Sequence, residues 1–171
     1  MPIVAIMSPS IIDIMPFAGD SRFTDGATQS FAIHVLNVPG FRIVQPSTVS
    51  ISVRELGIVP TQSGFTVLEA QKVGQAVNAD GVIVGTVTSY NNGMTLNGFC
   101  TAQIIDVNSG EIVGASHNPS GLLMGYSEHQ SVMAAVERTG KQVLKMLQDL
   151  SRKNRPVSTP IGAPKKRNTD A

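Results

Sequence analysis

Asn78-Ala79-Asp80-Gly81-Val82-Ile83-Val84-Gly85-Thr86-Val87-Thr88-Ser89-Tyr90, followed by Ala102-Gln103-Ile104-Ile105-Asp106-Val107-Asn108-Ser109-Gly110-Glu111-Ile112-Val113, decides the reading of this 171-residue chain. Asp80-Gly81 turns the chain into a run that is apolar on both faces at its start, the mark of a strand in the middle of a sheet, and that alternates toward Tyr90. Asn91-Asn92-Gly93 is a hairpin signal, because a tight two-residue turn needs positive φ and Asn and Gly tolerate it. Met94 to Val107 then reads as a long second strand, and Asn108-Ser109-Gly110 as a second tight turn into Glu111-Ile112-Val113-Gly114-Ala115. The expectation is an antiparallel meander over 82–90, 94–107 and 111–115. Gly81, Gly93 and Gly110 serve its turns, and Gly85 permits close approach on a crowded sheet face.

Outward from this segment, helical and extended patterns alternate. Ile11-Ile12-Asp13-Ile14-Met15-Pro16-Phe17 reads as an opening strand, with Gly19-Asp20 as a turn. Ala27, Phe31 and Val35 mark a helix from Asp25 to about Leu36, stopped by Pro39-Gly40. Phe41-Arg42-Ile43-Val44 alternates like a strand, and Ser47 or Thr48 offers an N-cap for a helix running to about Gly57. Thr66-Val67-Leu68-Glu69 fits a capping box, in which hydroxyl and carboxylate satisfy each other's free backbone amides at a helix start. Ser127 to about Lys153 carries Val132, Val136, Val143, Leu147 and Leu150 at near-helical spacing, interrupted by Gly140. The predicted order is β-α-β-α-α-β-β-β-α. It specifies an α/β (α+β) domain in which helices cover a mixed sheet that ends in an antiparallel meander.

Hydrophobic residues make up 42% of the chain and charged residues 15%, enough for a core but sparse for a fully solvated surface. Residues 1–151 hold seven Lys or Arg against eleven Asp or Glu, whereas 152–171 hold six against one. The domain is therefore acidic and the tail basic. The tail contains Pro156, Pro160 and Pro164 without apolar periodicity, so 153–171 reads as a disordered segment able to touch anionic surfaces weakly. Residues 1–10 read as an N-terminal arm and 11–152 as the domain. With no Trp and two Tyr, the chain lacks the aromatic platforms of single-strand binders, and no specific nucleic-acid partner is expected. The opening MPIVAIMSPSIIDIMPF carries no Lys or Arg before its first apolar run and is broken by prolines, unlike a signal peptide or membrane span.

Sites of covalent or metal chemistry are not expected. Gly81 to Thr86 lacks the Lys of a phosphate-cradling loop, and its glycines bracket a strand. Ser120-Gly121 has no nucleophile-elbow context. His34, His117, His129 and Cys100 show no spacing that would aim two ligands at one metal. Cys100 reads as a buried strand residue, and as the single cysteine it permits no internal disulfide. Asp13, Asp20 and Asp25 read as turn, loop and helix-start residues, and Asp80 and Asp106 adjoin tight turns. Neither a catalytic residue nor a cofactor is expected.

The segments quoted at the outset resemble the CsgG-like fold. In that family an alanine-rich turn leads to "a-d-x-v-x-x-G" opening a central strand, and a "v-d-x-x-T/S-G-e-i" hairpin follows. Ile12-Asp13-Ile14-Met15-Pro16-Phe17 is similar to its first strand, and Ala135-Val136-Glu137-Arg138-Thr139-Gly140 to its last helix. The family includes the curli channel, lipoproteins that activate penicillin-binding proteins, and other envelope lipoproteins. The resemblance implies a non-enzymatic accessory protein, periplasmic or outer-membrane-associated, that binds proteins of a secretion, surface-appendage or cell-wall assembly and could self-associate. The chain shows no paired membrane-spanning hairpins, so pore formation is not expected; it also departs from the family's lipoproteins in showing no lipidated N-terminal Cys, so lipid anchoring is not an expectation. Two alternatives remain from the residues alone: a nucleotide-binding or enzymatic α/β domain, and a cytoplasmic or phage structural subunit using the basic tail. The expected partner contact is Leu122, Leu123, Met124 and Tyr126, an apolar run in a loop that would ordinarily be polar.

Overall fold

The apolar run around Ile12 forms β1 (Ser10–Ile14), and after Pro16 the chain adds a two-residue strand, β2 (Ala18–Gly19). The computed structural model describes residues 10–36, 38–59, 61–91, 96–119 and 127–153. The expected arm up to residue 9, the tail from 154, Gly93 and the 120–126 run lie outside the described residues.

α1 (Thr24–Val35) buries Ala27, Thr28, Phe31 and Val35, an i, i+4, i+8 stripe that gives one apolar face. β3 (Phe41–Ile43) follows. α2 (Pro46–Glu55) corrects one expectation, because Gln45 occupies the N-cap without a side-chain bond and neither Ser47 nor Thr48 caps the helix. Pro46 starts it instead, since its ring presets a helical φ and its missing N–H falls where a helix leaves that group unbonded. α3 (Val67–Ala76) has the expected capping box. The Thr66 amide donates to Glu69 Oε1 at 2.9 Å, and the Glu69 amide donates to Thr66 Oγ1 at 3.1 Å.

β4 (Gly81–Asn91), β5 (Leu96–Asp106) and β6 (Ile112–Pro119) form the meander, and α4 (Glu128–Lys153) closes the fold. The sheet order is β3-β1-β4-β5-β6, with β2 also pairing β4. β1 runs parallel to β3 and β4, and β4-β5-β6 are antiparallel, so the sheet is mixed and β4 is central. A short strand at 18–19 joins the expected order. β6 also runs on to Pro119, where the sequence pattern ends the strand at Ala115.

Three layers result. On one side Ile12, Ile14, Ile83, Val87, Cys100, Ala102 and Ile104 pack against α1 and α4. On the other Met15, Val82, Val84, Ile105 and Val107 meet Val49 and Val53 of α2 and Ala70 and Val73 of α3. Apolar residues on both faces of β4 follow from this double coverage. Gly140 lies where α4 crosses α1: a Cβ there would be 2.8 Å from the His34 Cβ, so the weak helix former is the residue that lets the two helices touch.

Candidate docking face

Side chains alternate across a strand, so residues opposed in the register share a face. Three rows therefore lie on the sheet side away from α4: Thr88, Phe99 and Pro119; Thr86, Thr101 and His117; Val84, Gln103 and Ala115. α3 covers the lower part of this side through Val82, Ile105 and Val107, and the segment bridging Thr61 and Gly64 reaches as far as Thr86. Beyond that, no helix or strand among the described residues covers the face. Thr88, Ala115, His117 and Pro119 are exposed, and Tyr90, on the same face as Thr88, is 54% exposed.

The open face is ordered by its own contacts. The Phe99 and His117 rings stack with centroids 6.3 Å apart at 15°, and the Thr86 and Thr101 hydroxyls are 2.6 Å apart. Two rings, a tyrosine and threonine methyls give a mixed apolar and hydrogen-bonding surface.

The opposite face of the same strands explains why β6 continues past Ala115. Ser116 and Asn118 are buried there beneath α4. Asn118 Nδ2 donates to Ser116 Oγ at 2.8 Å, Gln142 Oε1 at 2.9 Å and Thr139 Oγ1 at 3.2 Å, and Gln142 Nε2 returns a bond to Asn118 Oδ1 at 2.9 Å. A polar alternation that reads as loop is thus a strand whose inward side chains are satisfied by a helix more than twenty residues away.

At the upper rim, Arg22 Nη2 lies 2.7 Å from Asp20 Oδ2 and 3.1 Å from Glu128 Oε2, and Ser89 Oγ donates to the same Glu128 oxygen at 2.7 Å. The Arg22 hydrogen bond holds the Asp20 carboxyl below its usual range, and the Ser89 and Arg22 bonds do the same for Glu128. Both carboxylates stay ionised, and they tie the first turn of α4 to the end of β4 and to the β2–α1 turn. This cluster was not foreseen, because Asp20, Ser89 and Glu128 carry no mutual spacing signal in the sequence.

The other candidate residues do not converge. Cys100 lies in β5 on the α4 side, and burial pushes its thiol up to about 11, so it stays protonated. His117 is on the opposite face, His34 lies against Gly140, and His129 is tilted 6.2 Å from Phe23. Among the described residues no group of three His, Cys, Asp or Glu could hold a metal ion. Asp25 lies in the first turn of α1, Asp80 Oδ2 accepts from the Ile11 amide, and Asp106 Oδ2 accepts from the amide and hydroxyl of Ser109. Gly110 in that turn has φ +76°, whereas Gly81 is the first residue of β4 and packs on Ile12. Gly81 to Thr86 lies within the paired strand β4, so its amides form no loop that could cradle phosphate.

Asp13 overturns its expected turn role: it lies in β1, fully buried. Leu122, Leu123, Met124 and Tyr126 fall outside the described residues, between Pro119, which ends β6 beside Phe99, and Ser127 at the start of α4.

No protein-family model matches the chain, and no curated protein matches it in sequence. Solved structures do share its fold. The LpoB C-terminal domain from Salmonella enterica is 19% identical, with 67% of this chain and 84% of that one covered and a TM-score of 0.51. Lipoprotein GNA1162 from Neisseria meningitidis is 20% identical over 65% of this chain and 79% of that one, with a TM-score of 0.52. The PelC dodecamer from Paraburkholderia phytofirmans is 14% identical over 84% and 91%, also at 0.52. Identities this low establish a common fold, and a fold hosts many functions. Among the described residues no helix is long and apolar enough to cross a membrane.

Proposed function

We propose that this chain is a non-enzymatic accessory protein of the bacterial cell envelope that docks a protein partner on the open face of its meander. The observation that carries the reading is the face itself. Tyr90, Thr88, Phe99, Thr101 and His117 lie together on three paired strands, with no helix among the described residues over them, while both faces of the same sheet are covered elsewhere. An aromatic and hydroxyl surface of this kind suits a partner's side chains.

The envelope assignment, periplasmic or outer-membrane-associated, is supported by the fold shared with the lipoprotein GNA1162 and by the CsgG-like resemblance of 78–113. That resemblance points to a secretion, appendage or cell-wall assembly as the partner, the role of the penicillin-binding-protein activators within the family being one such case. Self-association is part of the proposal, as is partner contact by Leu122, Leu123, Met124 and Tyr126, the apolar run between β6 and α4 in the sequence. The basic tail supplies a weaker electrostatic contact with anionic surfaces.

Photocrosslinking in cells tests the docking face. A crosslinker placed at Thr88, Tyr90 or His117 is expected to give a defined adduct, and one at Glu137 on the exposed side of α4 is not. Equal adduct formation from both sets, or from neither, overturns the assignment of this face. Leu123→Ser with Met124→Ser separately tests the loop, and reduced crosslinking at unchanged thermal stability is the expected result.

A further inference from the structure

Alternation along β1 sends Ile12 and Ile14 toward α1 and α4 and sends Met15 to the side of α2 and α3. Asp13, between the two isoleucines, faces the α2 side, opposite Val82 of β4 in the register. It is 0% exposed, and neither carboxyl oxygen has a hydrogen-bond partner. Hydroxyl, amide or cationic partners normally accompany a buried carboxylate, because an unpaired charge in an apolar layer is very costly.

The charged groups on the surrounding elements do not compensate it. β3 carries Arg42, α2 carries Arg54 and Glu55, α3 carries Glu69 and Lys72, Asp80 precedes β4, and β4 itself has no charged residue. None of these pairs with Asp13: Glu69 closes its capping box and Asp80 accepts from Ile11.

We propose that Asp13 is a proton-operated latch on the α2 layer, in which the neutral carboxyl is tolerated in the closed domain and ionisation loosens α2 from β1. α2 is the element that can yield, since it buries only Val49 and Val53, whereas α4 buries Val132, Ala135, Val136, Val143 and Leu147. Lifting α2 admits water to the carboxylate without breaking the meander or the opposite core.

The sign follows from proton linkage. Burial pushes the Asp13 carboxyl up from 3.8 to about 7 in the closed domain, while a hydrated carboxyl returns to about 3.9. Between these values the closed form holds a proton that the open form releases, so closure weakens as pH rises through this window and levels off above it. Each pH unit in the window changes the opening equilibrium about tenfold, or on the order of 10³-fold in total. The latch lies on the opposite side of β1 from α1 and is separate from the docking face, so it does not depend on the proposed partner.

Amide hydrogen exchange on the whole chain between pH 5 and 8.5, corrected for the intrinsic pH dependence of exchange, reads the latch. Protection of 49–55 in α2 is expected to fall by at least tenfold from pH 5.5 to 7.5 while α4 protection stays level. Asp13→Asn is expected to abolish that dependence. Level α2 protection in the native chain, or a fall that survives Asp13→Asn, overturns the proposal. Carboxyl-carbon NMR of the unsubstituted protein decides the matter if the variant does not fold: titration near 7 supports the latch, and titration near 4 refutes it.

Discussion

A Cβ built on Gly85 would lie 2.5 Å from Cε2 of Phe17 and 2.9 Å from the Thr101 carbonyl oxygen. Glycine is therefore required at this point of β4 by what crosses it: the ring of Phe17, itself 5.1 Å from the Phe31 ring, on one side and the neighbouring strand on the other. Gly85→Val must displace both, and overpacking of this kind costs about 1–3 kcal/mol. The expected outcome is a clear drop in Tm, and Gly85→Ala should show a smaller drop of the same sign. An unchanged Tm for both would remove Phe17 from this contact.

Asn118 makes four side-chain bonds, to Ser116 and Thr139 out of reach of solvent and to Gln142 at the edge of α4. Asn118→Ala removes these bonds while Ser116 keeps Gln142 and Thr139 keeps the Ala135 carbonyl, so the expected destabilisation is that of lost hydrogen bonds, about 0.5–1.5 kcal/mol. A double-mutant cycle with Gln142→Ala should give a non-zero coupling, since the two amides bond reciprocally. Additive effects, measured by denaturant unfolding, would show that β6 and α4 are not joined through this pair.

Thr66→Ala removes the acceptor for the Glu69 amide at the start of α3. A loss of about 1 kcal/mol is expected, the usual size for a lost N-cap. Thr66→Ser retains the hydroxyl and should stay close to the native midpoint in urea. If serine and alanine destabilise equally, the capping bond is not the source of the effect.

Arg22 is expected to contribute far less despite having two carboxylate partners, because its side chain is 59% exposed. Exposed pairs are worth about 0–1 kcal/mol and weaken with salt. Arg22→Ala should therefore leave Tm almost unchanged, with any difference shrinking between low and high ionic strength. A large, salt-independent loss would give the rim cluster a structural weight that its exposure argues against.

The meander, the mixed sheet, the α3 capping box and the long last helix were legible in the sequence because each depends on neighbours within a few residues. Asp80-Gly81, Asn108-Ser109-Gly110 and Thr66 with Glu69 specify turn and cap geometry locally, and the both-face apolar start of β4 already requires cover on two sides. Tertiary structure decided the rest. Ser116 and Asn118 became strand because Gln142 and Thr139 satisfy them from α4, and Gly140 is tolerated because His34 of α1 lies against it. Asp13 became a buried carboxyl rather than a turn residue because β3, β4 and α2 close around β1, and the open face exists because α2 and α3 stop short of β6. Hydrogen bonds and apolar contacts between distant segments have no periodicity to read. Local patterns determined the main helices and the meander, while packing decided the extent of β6, which surface is left uncovered and which acid is sealed away from water.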